Sequence, residues 1–172
     1  MPNIKNITQH EQPKGRHLFL KDGDSATFNF YSQGNEDHAF HEYTRHWVPS
    51  DNTYYTCKGV HDCPYHPDDK AQNRWATWVY VHEKKLFDGR TLEPCIYQVL
   101  SLPFGRSRYI WNQLMDIYEE TGDLSLYVCK IKRYGDGLST DWRLSSSNTL
   151  IDWDERRYFL EEPLPPIADI TD

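Results

Sequence analysis

Residues 49–73 limit what this chain can fold into, because they form a long stretch with almost no aliphatic side chains. Pro49, Pro64 and Pro67 interrupt regular structure there, since proline cannot continue a helix or a central strand. The stretch therefore cannot bury a core of its own, and it needs another source of folding energy. A bound metal ion would supply that energy.

The stretch and the predicted strand end before it carry residues of the types that bind zinc. Zinc prefers four nitrogen and sulfur ligands in a tetrahedron, and a C-x2-H step can form one corner of such a site. The spacing here is H-x10-C-x5-C-x2-H. The predicted zinc ligands are His46, Cys57, Cys63 and His66.

Two other interpretations of this stretch stay open. His61 could replace His46 or His66 as a ligand. Without a metal, the stretch would be an exposed, histidine-rich loop with two thiols or a Cys57–Cys63 disulfide. The disulfide is disfavoured because we expect no secretory signal in the first residues, and disulfides persist mainly in oxidising compartments.

Outside this stretch, the pattern of apolar residues predicts a mainly β fold with one helix. The helix runs from Arg108 to about Glu120, with Gly122 in the position of a C-terminal cap. Cys95 and Cys129 fall in predicted strands and are expected to be buried core thiols. The predicted strands are Ala26–Tyr31, His38–Val48, Trp75 to about Glu83, Thr91–Leu102, Ser125–Tyr134 and Thr140–Ser145.

An order of strands, one helix and then a hairpin is that of an OB-fold-like five-stranded barrel, which has its helix between its third and fourth strands. A small β sandwich with one helix is the alternative. We divide the chain into a flexible N-terminal arm (1–17), a barrel domain (18–149) with the zinc-loop insertion (49–73), and an acidic C-terminal tail (150–172).

Charge is concentrated in that tail. Residues 150–172 hold seven carboxylates against two arginines, which accounts for five of the chain's seven net negative charges. The body is therefore nearly neutral. The tail also contains apolar residues such as Trp153, Ile167 and Ile170, which favour a docking segment over a purely solvating one. No apolar run is long enough for a membrane span, so we expect no membrane partner.

Aromatic and basic residues alternate along several predicted strands. Bases of single-stranded nucleic acid stack on aromatic rings while cations follow the phosphates, so this combination is typical of a single-strand binder. The predicted phosphate contacts are Arg45, Arg74, Lys84, Arg106, Arg108, Lys130, Lys132 and Arg133. The predicted stacking residues are Tyr43, Trp47, Trp78, Tyr80 and Tyr134.

Three segments, in order, resemble bacteriophage single-stranded-DNA-binding proteins. RYGDGLSTDWRL (133–144) resembles their closing hairpin, and Gly122-Asp123-Leu124 resembles the link into it. His46-Trp47-Val48, followed by Cys57 and Cys63-Pro64, is similar to their zinc-binding insertion.

The resemblance implies an OB fold that binds single-stranded DNA, with little sequence preference, during phage replication, recombination and repair in the bacterial host's cytoplasm. It also implies an acidic tail that recruits replication or recombination proteins or masks the groove.

Two other functions were weighed. A phage transcription or replication accessory factor would contact a polymerase through the zinc loop and the tail. A metal-dependent nuclease is disfavoured, because four protein ligands leave no open position for water or substrate. The sequence also has no paired carboxylates at metal spacing, no phosphate-binding G-x-x-x-x-G-K-[ST] loop and no G-x-S-x-G motif. We therefore expect no enzymatic activity.

Overall fold

The computed structural model describes residues 17–31, 40–57, 63, 71–105, 108–137, 140–150, 164–165 and 167, apart from the side chains of Arg108 and Asn148. Within these residues the fold is mainly β with one helix, as predicted. The elements are β1 (Ser25–Phe30), β2 (His41–Val48), β3 (Thr53–Thr56), β4 (Ala71–Lys85), β5 (Thr91–Leu92), β6 (Ile96–Pro103), α1 (Arg108–Thr121), β7 (Tyr127–Tyr134) and β8 (Asp141–Leu150).

The strands form a single antiparallel open sheet around the long strand β4. One edge of β4 pairs with β2 through residues 71–76 and with β1 through residues 79–85. The opposite edge pairs with β6 through residues 74–81 and then with β5. From β1 the sheet continues through β7 to β8, and no ladder among the described strands joins β6 to β8.

The structure corrects three details of the sequence prediction. Thr91–Leu102 is not one strand, because residues 93–95 interrupt it and Cys95 has a φ of 50°. Cys95 is consequently exposed, whereas Cys129 is buried in the core as expected. Thr53–Thr56 falls within the stretch that the sequence predicts to be irregular, but it is a strand paired with β2.

The core lies on one face of β4 and against α1. Trp75, Val79 and Val81 are fully buried on that face of β4. The helix contributes Ile110 and Leu114, four residues apart, to the same core. It ends at Gly122, whose φ of 69° is the left-handed conformation typical of a C-terminal cap, so this part of the prediction is confirmed.

The opposite face of β4, called here the outer face, carries Arg74, Ala76, Trp78 and Tyr80. Residues 164, 165 and 167, called here the C-terminal segment, cover its middle. Ile167 packs with Ala76 and Trp78, and the Trp78 indole Nε1 donates a hydrogen bond to the Pro165 carbonyl at 3.0 Å. Among the described residues, no helix is both long and apolar enough to cross a membrane.

Candidate functional site

The first site is a cluster of three potential metal ligands beside the hairpin β2–β3, called here the metal cluster. One ligand atom each of His46, Cys57 and Cys63 lies within 4.8 Å of the others. His46 and Cys63 are buried, Cys57 is half-buried, and no disulfide joins the two thiols. This burial argues against the exposed-loop interpretation.

Backbone pairing holds two of these ligands in place. His46 lies in the ladder between β2 and β3. The Cys57 amide donates a 2.7 Å hydrogen bond to the Thr44 carbonyl and continues that pairing beyond β3. Two ligands of a tetrahedral zinc ion lie roughly 3.5–4 Å apart, so the cluster is close enough to hold such an ion. His66 and His61 lie outside the described residues.

The hairpin β2–β3 separates the metal cluster from a second site, because successive residues of a strand point to opposite faces. His46 is on one face of β2, and its neighbours Arg45 and Trp47 are on the other. Tyr54 of β3 shares the face of Arg45. The Arg45 guanidinium carbon lies 3.6 Å from the centre of the Tyr54 ring, and Trp47 packs edge-on against the same ring at 4.9 Å.

That face forms one wall of a groove, called here the arginine groove. The other walls come from the chain before β1, from the outer face at β4 and β6, and from the β7–β8 hairpin. The described residues that line the groove include no aspartate or glutamate. These lining residues are His17, Leu18, Phe19, Leu20, Tyr43, Arg45, Tyr54, Gln72, Arg74, Ser101, Pro103, Arg133, Gly137, Thr140 and Trp142.

Two arginines at the centre of the groove are held by neutral oxygen atoms. Arg45 Nε donates to Gln72 Oε1 at 2.8 Å, and Arg74 Nη1 donates to the same oxygen at 3.1 Å. Arg74 also donates to the hydroxyl of Ser101 at 3.0 Å and to its carbonyl at 2.7 Å. Neither arginine forms an ion pair with a described carboxylate.

The pKa values in the groove reflect this arrangement. Burial, followed by the charge of Arg74, lowers the pKa of Arg45 to about 10. Burial also lowers the pKa of Arg74. Burial, followed by the charges of Arg74 and Arg45, lowers the pKa of His17. Positive charge is therefore concentrated here at an energetic cost.

Three buried nitrogen atoms in the groove lack a hydrogen-bond partner. They are Arg133 Nε, Trp142 Nε1 and His17 Nε2. Buried polar atoms are normally paired, so such a group of atoms is a sign of a ligand site. Arg133 and Trp142 are cross-strand partners on one face of the β7–β8 hairpin, with the guanidinium carbon 5.4 Å from the ring centre.

The opposite face of the same hairpin carries a second basic surface, called here the lysine face. It consists of Lys130, Lys132, Tyr134 and Arg143, beside Tyr109 of α1. Lys132 and Arg143 lie 4.8 and 5.1 Å from the centre of the Tyr134 ring. Asp141 also borders this surface and lies 3.7 Å from Arg143.

The predicted binding residues therefore divide between two surfaces. Tyr43, Arg45, Arg74 and Arg133 line the arginine groove, and Trp47 supports it through Tyr54. Lys130, Lys132 and Tyr134 form the lysine face.

Three further predicted residues, Trp78, Tyr80 and Lys84, are in neither surface. Trp78 is buried under the C-terminal segment, and Tyr80 packs against Tyr97 with ring centres 5.0 Å apart. Lys84 pairs with Ala26 and Leu92, at the opposite end of β4 from Arg74. Arg106 and the side chain of Arg108 lie outside what the structure describes.

Sequence reasoning missed Tyr54 and Trp142 as groove residues. A turn signal before Tyr54 was available, because Asp51-Asn52 between Val48 and Thr53 is typical of a hairpin, and Asn52 has a φ of 50°. For Trp142, the alternation of side chains between the two faces of the strand through residues 141–144 places it on the face opposite to that of Asp141 and Arg143. Comparison of the sequence with protein-family models and with curated proteins found no match.

Proposed function

We infer that this protein binds single-stranded DNA in the arginine groove, by base stacking and phosphate contacts, and that it is not an enzyme. The observation that carries the proposal is the composition of the groove. In a chain with a net charge of −7, it gathers three arginines and four aromatic side chains, one of them Phe19, with no carboxylate among its described lining residues. Such a surface is selective for an anionic ligand with aromatic faces, which describes a single strand.

Each class of groove residue has a role in this proposal. The Tyr54 and Trp142 rings stack on bases, and Tyr43 lines the groove between them and the outer face. Arg45, Arg74 and Arg133 neutralise phosphates. The buried donors Arg133 Nε and Trp142 Nε1 acquire acceptors when a strand is bound. None of these contacts reads a specific base edge, so little sequence preference is expected.

The strand order supports an OB-type barrel that is partly open. The sequence of strands β6-β4-β1-β7-β8, with α1 between β6 and β7, has the order of a five-stranded OB fold, and β2–β3 is an insertion between its first two strands. OB folds bind oligonucleotides on the face of their second and third strands and on the loops next to it. The arginine groove lies on the equivalent elements, since its lining includes residues of β4, β6 and the β7–β8 hairpin.

The metal in this proposal is zinc, with a structural role. Two thiols and an imidazole form a ligand set that suits zinc, and either His66 or His61 would supply the fourth ligand. The ion would hold the hairpin β2–β3, and with it Arg45 and Tyr54, in the groove wall.

The C-terminal residues have a regulatory role in this proposal. Leu164 and Ile167 pack on the outer face next to the groove, which would bring the acidic residues of the tail near the arginines. The tail would mask the groove until DNA or a replication or recombination protein displaces it. The phage setting and the host cytoplasm rest on the motif resemblance alone.

A titration tests the proposal. Full-length protein is added to labelled oligo(dT) of about 30 nucleotides, long enough for one or more OB-type sites, with duplex of equal length as competitor. Salt-sensitive binding that the duplex does not displace supports the proposal. Ile167→Asp, which should release the C-terminal segment, is expected to bind more tightly, and Leu150→Asp is the control because Leu150 is exposed on β8.

Absence of single-strand binding by both the natural chain and Ile167→Asp would contradict the proposal. It would favour an accessory factor that binds a polymerase, which a nuclease-resistant pull-down with polymerase would detect.

A further inference from the structure

Two guanidinium groups in the arginine groove converge on a single oxygen atom. Gln72 Oε1 accepts hydrogen bonds from Arg45 Nε and from Arg74 Nη1 at 2.8 and 3.1 Å. The two donor nitrogens are therefore at most about 6 Å apart, a distance at which like charges repel strongly in a partly desolvated site. A protein does not gain stability from such an arrangement unless something negative enters it.

The described residues around the two arginines do not supply that negative charge. Gln72 and Ser101 offer the two arginines an amide oxygen, a hydroxyl and a carbonyl, all of them neutral. The described carboxylate of Asp136 lies 3.3 Å from Arg133 and pairs with that arginine instead. Gln72 and Ser101 thus fix the directions of the two guanidinium groups without neutralising them.

His17 adds a third group to the same place. The charges of both Arg74 and Arg45 act on its imidazole, and its buried Nε2 has no hydrogen-bond partner. With a proton on Nε2, this ring can donate a hydrogen bond to an anion. The three side chains come from three separate elements, since His17 bridges to Val99 of β6 while Arg45 and Arg74 belong to β2 and β4.

We propose that Arg45, Arg74 and His17 form a discrete pocket for one phosphate group of the bound strand. Planar guanidinium forks match the oxygen geometry of phosphate, and their fixed orientation makes the pocket an anchor point within the groove. This inference rests on the proposed function, because the strand delivers the phosphate. The group is either an internal phosphodiester or a terminal phosphomonoester.

The test uses thymidine oligomers of about eight nucleotides whose backbone is uncharged methylphosphonate, a length within the usual range of an OB-type site. One oligomer carries no phosphate, a second carries one internal phosphodiester, and a third carries one 5′-terminal phosphate. Dissociation constants are measured for the full-length protein by tryptophan quenching. A native oligomer of the same length is the reference.

A single phosphate in the right position is expected to tighten binding about tenfold, the typical effect of one charge-assisted hydrogen-bonded contact. A gain with the internal diester assigns the pocket to the backbone, and a gain with the 5′-phosphate assigns it to a strand end. Arg74→Gln and Arg45→Gln should each abolish the gain. Arg90→Gln should retain it, because Arg90 is exposed and pairs with Asp88 on the β4–β5 turn.

Arg45→Gln is the second variant in case Arg74→Gln does not fold, and the thermal unfolding of each is measured. Equal affinities for all three methylphosphonate oligomers would overturn the pocket, as would a gain that survives both arginine variants. Failure of the proposed function would look different, because the native oligomer would then not bind at all.

Discussion

The arginine groove and the lysine face lie on opposite faces of the β7–β8 hairpin. Their cationic side chains differ in how far they are desolvated and in whether a carboxylate lies beside them. In the groove, Arg45 and Arg74 are partly desolvated, fixed by Gln72 and Ser101, and have no carboxylate partner among the described residues. On the lysine face, Lys130 is exposed, Lys132 is half-buried, and Asp141 lies beside Arg143.

Under the proposed function, this difference predicts which cations contribute most to the free energy of DNA binding. An exposed cation keeps its hydration and is screened by salt, so it contributes little in a fixed contact. A desolvated cation in a fixed orientation has already lost part of its hydration and meets an anion with little reorganisation. The sequence pattern does not separate these cases, because both surfaces combine basic and aromatic residues at alternate positions.

The largest expected effect comes from removing the charges of one surface at a time. Arg45→Gln/Arg74→Gln should weaken oligo(dT) binding about 100-fold or more, because two charge-assisted contacts are lost. Lys130→Gln/Lys132→Gln removes the same net charge and should cost about threefold, as expected for solvated cations. Fluorescence titration at constant salt measures both. Equal losses in the two double variants would show that net charge alone governs binding.

The second-largest loss of affinity is expected from removal of the metal, because the metal cluster supports the wall of the groove and not the lysine face. Cys63→Ser removes one ligand, so the hairpin that presents Arg45 and Tyr54 loses a constraint, and single-strand affinity should fall roughly 30-fold as both contacts weaken. Cys95→Ser, at an exposed thiol, is the matched control and should bind like the natural chain. Metal content is measured by mass spectrometry under native conditions. Full affinity in a metal-free Cys63→Ser protein would separate the cluster from the groove.

Much of the fold could be predicted from alternation and spacing. β1, β4, β7 and α1 were found because each has an apolar face of regular period. β3 was missed because its exposed Tyr-Tyr pair has no apolar face and the surrounding prolines suggested a loop. The break at Cys95 was missed because a single residue with positive φ leaves no periodic trace.

The candidate site could be predicted only in part. The cluster of potential metal ligands, His46, Cys57 and Cys63, could be identified from spacing, since their chemistry is local. The division of basic residues between two surfaces depends on which strands pair, and so does the placement of Tyr54 opposite Trp47. Trp78 was expected to stack on bases, but long-range packing of the C-terminal segment buries it.

One tyrosine on each surface allows the two surfaces to be compared by stacking, with a smaller expected loss of affinity. Tyr54 and Tyr134 are 43% and 38% exposed, and each lies under a cation, so they differ mainly in the surface that they occupy. Tyr54→Ala should cost about tenfold in affinity, within the range for one stacked base, and Tyr134→Ala less than about twofold. Fluorescence quenching titrations with oligo(dT) measure the affinity of both variants. A larger loss for Tyr134→Ala than for Tyr54→Ala would assign the stacking site to the lysine face.

The smallest expected effect is the salt dependence of Lys132→Ala. Lys132 lies on the lysine face, so if a long strand leaves the groove and passes over the hairpin, its phosphates meet this side chain as a solvated contact. Affinity for an oligomer of about 30 nucleotides should fall about twofold at low salt, less than in the double lysine variant, and the slope of log affinity against log salt should decrease by less than one. For an oligomer of about eight nucleotides, which fills the groove alone, neither quantity should change. A loss that is equal for both lengths would place Lys132 inside the primary site, and the two surfaces would then act as one.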